Sequence, residues 1–331
     1  MSAPPTPATL PAAPQATSTA TGTTTGEGRY ILDREIASGG MGRIFEGRDR
    51  LLGRTVAIKT TRDARGAERF EQEIRLAARL QHPGIVTVYD AGFLPTGEPF
   101  LVMKRVLGRS LDRVIADAES LEERLALLPS LTAAVDGLAY AHDQGVIHRD
   151  LKPSNIIVGA FGETVVVDFG LAKDISAVEA MESSESKGGG RAGITQEGTV
   201  MGTPAYMAPE QAAGESVDAR ADVYALGAVI YQMLTGQSPT PQVTLRSLEP
   251  RLPAELVAIV SKAMAQDKRE RYPTAFELSE DLRRFQAGGL VAAHRYSPLA
   301  RAARVARRQR WLVGLVIAMG ALLAWHWLRG R

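Results

Sequence analysis

The stretch VIHRDLKPSNIIV, Val146 to Val158, gathers His148, Arg149, Asp150, Lys152 and Asn155 between apolar flanks. Two readings of these residues compete. One is a solvated turn between two buried strands. The other is a reaction centre: a carboxylate that orients a hydroxyl and accepts its proton, and a cation that offsets charge on a transferred group. A further carboxylate, Asp168, comes straight off an apolar run in VVVDFG. The oxygens of Asn155 and Asp168 are hard ligands, suited to Mg²⁺ held together with nucleotide phosphates.

Two further groups bear on the choice. IASGGMGRI, Ile36 to Ile44, is rich in glycine, which lets a backbone approach phosphates closely and turn its N–H groups toward them. Gly-rich hairpin turns are also common, and the spacing here matches neither a P-loop nor a dinucleotide fingerprint. Lys59 ends the apolar run VAIK, where an unpaired ammonium is costly to bury and therefore requires an anion. Glu73, one turn after Phe70 on a predicted helix, is the natural partner. Either residue alone reads as an ordinary surface charge.

The elements that must position these groups follow from periodicity. Residues 1–28 are Pro, Ala, Thr and Gly with almost no large apolar side chain, which predicts a disordered arm and offers no signal-peptide run. From Tyr30 to about Ile58 the pattern is strand-like. Glu68 to Leu80 is helical, with Phe70, Ile74, Ala77 and Leu80 on one face. IVTVYD and PFLVM read as further strands, and from Leu111 to Phe285 the chain is mainly helical. The layout is α+β in two lobes, a small strand-rich one and a larger helical one, with a cleft between them.

Charge and composition set the rest. The chain has 331 residues, no cysteine and a net charge of +2. Disulfides and thiolate metal sites are excluded. Eight arginines and no acidic residue follow Ala287, so the tail carries +8 and the remainder −6. WLVGLVIAMGALLAWHWL, Trp311 to Leu328, holds no Asp, Glu, Lys or Arg. As a helix it spans roughly 27 Å, close to the hydrocarbon thickness of a bilayer. Tryptophans lie near both ends and Arg301, Arg304, Arg307, Arg308 and Arg310 precede it, which predicts a membrane anchor with its N-terminal side in the cytoplasm.

The order Gly-rich loop, VAIK, helix glutamate, HRDLKPSN, DFG and APE (in GTPAYMAPE, Gly202 to Glu210) resembles the eukaryotic-type, or Hanks-type, protein kinases over about residues 29 to 286. GGMG and GTPAYMAPEQ are most similar to the bacterial serine/threonine branch. The resemblance implies a two-lobed protein kinase fold, ATP and Mg²⁺ (Mn²⁺ as an alternative) as cofactors, and transfer of the γ-phosphate to Ser/Thr hydroxyls of proteins. It implies that Ile36, Ala37, Ser38, Gly39, Gly40, Met41, Gly42, Arg43 and Ile44 cover the nucleotide. Lys59 holds the α/β-phosphates while paired to Glu73. Asp150 accepts the substrate proton, Lys152 attends the γ-phosphate, and Asn155 and Asp168 hold the metal. Ile36, Ile44, Ala57, Met103 and Ile157 sandwich adenine, with backbone groups near Lys104 and Val106 at its edge. Glu210 pairs with Arg271, and Asp222 braces the catalytic loop. Arg149 implies control by loop phosphorylation, with Thr195 favoured over Thr199 as the autophosphorylation site.

The family's first loop glycine is Ala37 here, tolerable if φ is negative, and Lys104–Arg105 stands where an acidic–aromatic pair is usual. The segment Gly236 to Pro253 is short, so the helix it carries in the family is expected to be reduced or missing. The expected organisation is a disordered arm (1–28), a kinase domain (29–286), a basic juxtamembrane linker (287–310), a transmembrane helix (311–328) and a short tail (329–331). That makes a single-pass protein of the inner, cytoplasmic membrane with its kinase domain in the cytoplasm. Its partners would be protein substrates, the membrane and a second kinase copy, with no nucleic acid. The rival reading is a membrane-anchored pseudokinase scaffold, whose usual mark, loss of the metal or base residues, is missing here.

Overall fold

The structure is a computed structural model that describes residues 28–39, 42–61, 67–169, 173–174, 204–240 and 245–301, with Arg304, Met319, Trp325 and Arg329 as single positions. Gly40, Met41, Thr195, Thr199 and nearly all of 1–28 and 311–328 lie outside the described residues. Among the described residues no helix is long and apolar enough to cross a membrane.

The strand-like first third forms one antiparallel sheet. Its strands β1 (Tyr30–Gly39), β2 (Gly42–Asp49), β3 (Arg54–Thr60), β4 (Val88–Phe93) and β5 (Pro99–Lys104) lie in the order β1-β2-β3-β5-β4. Alternation decides what each face meets. Val56 and Ile58 pack outward with Tyr30, Leu32, Phe100 and Val102, while Ala57 and Met103 turn to the opposite face with Val86 and Val165. Helix α1 (Ala67–Arg79) packs on β4 and β5 and buries Phe70, Leu76 and Ala77, with Ile74 half-buried.

The strand expected over IVTVYD begins later, at Val88. Ile85 instead forms a parallel bridge with Val166, and Val86 N–H donates to Val166 O at 3.0 Å while Val166 N–H donates to Gly84 O at 2.8 Å. Those backbone groups therefore serve the second lobe, stitching the two together.

The second lobe is helical: α2 (Leu111–Asp117), α3 (Leu121–Leu125), α4 (Leu128–Asp143), α5 (Pro209–Ala212), α6 (Arg220–Thr235), α7 (Leu245–Leu248), α8 (Ala254–Ala263) and α9 (Ala275–Gln286). α6 is apolar nearly all round and buried, so its neighbours wrap it. Short strands β6 (Gly108–Ser110), β8 (Ile156–Gly159) and β9 (Thr164–Val166) form one small sheet, and β7 (Val146–Ile147) pairs with β10 (Lys173–Asp174). The Gly236–Pro253 segment retains a helix, the single turn α7, which buries Leu245.

The fold runs past Gln286, where the sequence placed its end. The fully buried Asp281 accepts from the N–H groups of Ala292 (2.8 Å) and Ala293 (2.9 Å), and Val291 is buried. Arg304 bonds Glu255, Tyr296 and the Gly288 carbonyl. Residues 287–293 are thus folded against α9, within what the sequence assigned to the juxtamembrane linker.

Candidate active site

The cleft face of the sheet begins at β1 and β2. Ile36 is half-buried there, and Ala37 pairs with Ile44 and Ser38 with Arg43 across the ladder. Ala37 has a negative φ, so its methyl is accommodated without strain. Gly42 is required: a Cβ there would lie 2.1 Å from the Thr60 carbonyl oxygen. Ala57, Met103, Ile44 and Val106 gather in one apolar cluster with Val86, Val165 and Val167. The three valines were not read from the sequence, although alternation in VVVD places Val165 and Val167 on one face. Ile157 stands opposite Val165 in the β8–β9 register.

Lys59 connects three elements. Its Nζ donates to Glu73 Oε1 of α1 at 2.5 Å and to Asp168 Oδ1, just past β9, at 2.7 Å. Burial disfavours the ammonium, but the Asp168 and Glu73 carboxylates outweigh it and hold its pKa above the ordinary lysine value. Burial likewise pushes the Asp168 carboxyl up, and Lys59 outweighs that and holds it below the ordinary range. Both groups are charged at neutral pH.

On the opposite wall, Asp150 Oδ2 accepts from Lys152 Nζ at 2.8 Å, and Asn155 Nδ2 donates to the Asp150 carbonyl at 2.9 Å. That bond fixes the Asn155 amide and leaves its Oδ1 without a hydrogen bond among the described residues. Together with the second oxygen of Asp168, it gives a pair of hard oxygens that fits Mg²⁺.

The loop carrying Asp150 is held from beneath. Asp222, at the start of α6 and fully buried, accepts from the N–H groups of His148 (2.7 Å) and Arg149 (2.9 Å) and bonds His142 Nε2 at 2.8 Å. Burial raises its pKa, but these partners, His142 foremost, bring it below the ordinary range. Gln211 Nε2 donates to the Arg149 carbonyl at 2.7 Å. Arg149 (φ 70°) and Asp168 (φ 66°) are the non-glycine residues with positive φ among the described residues. Such backbone persists where surrounding bonds over-determine it, and it clusters at functional sites. His142 was not singled out from the sequence; a histidine near a helix end carries no mark of a partner 80 positions away.

Buried Glu210 and Arg271 form a two-pronged pair, with Oε1 and Oε2 each 2.7 Å from a guanidinium nitrogen. The protein kinase domain family matches residues 30–296. The chain belongs to that family.

Family members use ATP with a divalent metal. The chain is 35% identical over 294 residues to the probable serine/threonine-protein kinase PknB of Corynebacterium glutamicum, covering 81% of this chain and 44% of that protein. It is 37% identical over 283 residues to the serine/threonine-protein kinase PknB of Mycobacterium tuberculosis, covering 78% and 43%. It thus spans less than half the length of these curated relatives. Among solved structures, the Mycobacterium tuberculosis PknI kinase domain matches at a TM-score of 0.60 and 26% identity, over 80% of this chain and 99% of that one.

Proposed function

We propose that the chain is an active serine/threonine protein kinase. The observation that carries this reading is the Lys59 bridge: one ammonium tied to Glu73 in the sheet lobe and to Asp168 in the cleft, opposite the braced Asp150–Lys152 pair. Lys59 holds the α/β-phosphates. Asp150 orients a Ser or Thr hydroxyl and accepts its proton, while Lys152 offsets negative charge on the transferred group. Asn155 and Asp168 would hold Mg²⁺, which when bound neutralises charge on the phosphates. The Ala57–Met103 cluster excludes water from the base.

Regulation by phosphorylation is supported by Arg149. Burial pushes its guanidinium down, with Asp222 acting against that, and its Nε is buried without a hydrogen-bond partner among the described residues. A phosphate on Thr195 or Thr199 would supply that Nε with a charged acceptor. A C-terminal helix over 311–328 anchors the protein in the inner membrane, supported by the apolar run and its preceding arginines. Anchoring concentrates kinase molecules for one another and favours phosphorylation in trans.

The test incubates the full chain, and its Asp150→Asn variant, with Mg²⁺ and ATP and maps phosphosites. Phosphate on Thr195 or Thr199 in the parent alone is the expected result. No phosphate in either, with nucleotide still raising the melting temperature, would overturn it in favour of a scaffold.

A further inference from the structure

The adenine end of the cleft carries a feature outside the phosphoryl-transfer machinery. In the ladder, Ile44 faces Lys59 and Glu46 faces Ala57, which in turn faces Met103. Directly paired residues project to the same face of a sheet. Glu46 therefore stands on the cleft side, two residues along from Ile44 and farther from the Gly-rich turn. Arg34, its partner across β1–β2, binds it with Nε to Oε1 at 3.1 Å and Nη2 to Oε2 at 3.3 Å. Arg105, in the segment joining the lobes, completes the chain with Nε to Glu46 Oε2 at 3.1 Å.

The same guanidinium has a second contact. Arg105 Nη1 donates to the Val106 carbonyl oxygen at 2.7 Å. Val106 packs against the Ala57–Met103 cluster, so its backbone lies at the edge where the base is read. Lys104 N–H is already given to the Thr87 carbonyl at 2.8 Å, whereas Val106 N–H has no hydrogen-bond partner among the described residues. Val106 thus offers its donor and has its acceptor occupied.

We propose that Arg105 is a specificity-determining residue: by holding the Val106 carbonyl, it admits adenine and disfavours purines that carry an amino group beside the ring nitrogen accepting from Val106 N–H. The inference rests on the kinase reading above. Adenine presents only a C–H at that position, and a C–H loses little against an occupied carbonyl. A 2-amino group presents an N–H that must share the oxygen with a cation already on it. The second lone pair remains, but the neighbouring guanidinium opposes an incoming donor. Glu46, itself clamped by Arg34, fixes the guanidinium in that position and is the positioning residue.

Calorimetric titration of the full chain with Mg²⁺–ATP and with Mg²⁺–2-aminoadenosine 5′-triphosphate measures this without depending on turnover. The parent is expected to bind the 2-amino nucleotide about tenfold more weakly, the size of one unmade hydrogen bond. Arg105→Met keeps the apolar stem and frees the carbonyl. It should bring the two nucleotides to within about twofold, chiefly by tightening the 2-amino ligand. Glu46→Gln should move the ratio the same way by a smaller factor. Unchanged ratios in both variants, with both nucleotides bound, overturn the inference alone. Failure of the parent to bind either nucleotide overturns the proposed function and this inference with it.

Discussion

Lys59–Glu73 and Glu210–Arg271 are both buried ion pairs, yet they differ in how completely they are satisfied. Arg271 spends all five donors: two on Glu210, and the others on the Ala265, Gln266 and Arg220 carbonyls. It also lies 5.0 Å from the centre of the Tyr224 ring and has no exposed side-chain surface. Among the described residues Lys59 makes two hydrogen bonds and lies 5.8 Å from the centre of the Phe70 ring, and one of the bonds goes to Asp168, whose side chain is 32% exposed. A saturated pair has no capacity for a ligand and serves as scaffold. An ammonium with a donor to spare, opening on a cleft, can take up phosphate oxygens while keeping its protein partners. The difference separates what holds the helical lobe together from what prepares the cleft.

The largest effect is expected where the saturated pair is broken. Arg271→Ala leaves Glu210 buried and unpaired, which costs about 3–5 kcal/mol and lowers the melting temperature by roughly 10 °C. A fall under about 2 °C by calorimetry would break the comparison. Lys59→Met should invert the balance. Phosphorylation of a protein substrate falls by roughly 10³-fold, or about 4 kcal/mol of transition-state stabilisation. Stability falls by only about 1–2 kcal/mol, because the part-exposed Asp168 can hydrate once Lys59 is gone.

Acid titration sharpens the same contrast. Asp168 and Asp222 have lowered pKa values, so they stabilise the fold above the ordinary carboxylate pKa of about 4, and that contribution is lost as pH falls through their folded values. Lys59, with a raised pKa, contributes fully below about pH 10.4 and loses its contribution as pH rises through its folded value. These groups should leave the melting temperature flat between about pH 5 and 9, with a decline below pH 4. Lys59→Met removes the main cause of the Asp168 shift, so the acid decline should be shallower in that variant. The smallest effect belongs to Ala37→Gly: with φ already negative, the KM for ATP should stay within about twofold of the parent.

Much of the site was legible in the sequence because its parts are local. HRDLKPSN places Asp150, Lys152 and Asn155 within six residues, VAIK ends a period-2 strand, and DFG follows an apolar run. Their roles demand residue types that have few other reasons to occur together. The three cleft valines were hidden because a valine in a strand reads as core whichever face it takes. The Val86 contact also depends on a bridge to Val166, 80 residues on. The packing of residues 287–293 was hidden by composition: a glycine-containing start to a basic stretch reads as a linker until Asp281 is seen to bind its backbone.

The sequence by itself determined the two-lobed layout, the order of the reactive residues and the arginine-rich tail, since periodicity and charge are properties of neighbours along the chain. That Asp222 braces the catalytic loop was implied by resemblance, but only the tertiary structure decided that it does so through the His148 and Arg149 N–H groups and binds His142 as well. It alone showed that Arg105 reaches both Glu46 and the Val106 carbonyl, and that Lys59 touches carboxylates from both lobes. Those contacts join residues up to 109 positions apart, and their geometry is set by how the lobes pack rather than by any spacing along the chain.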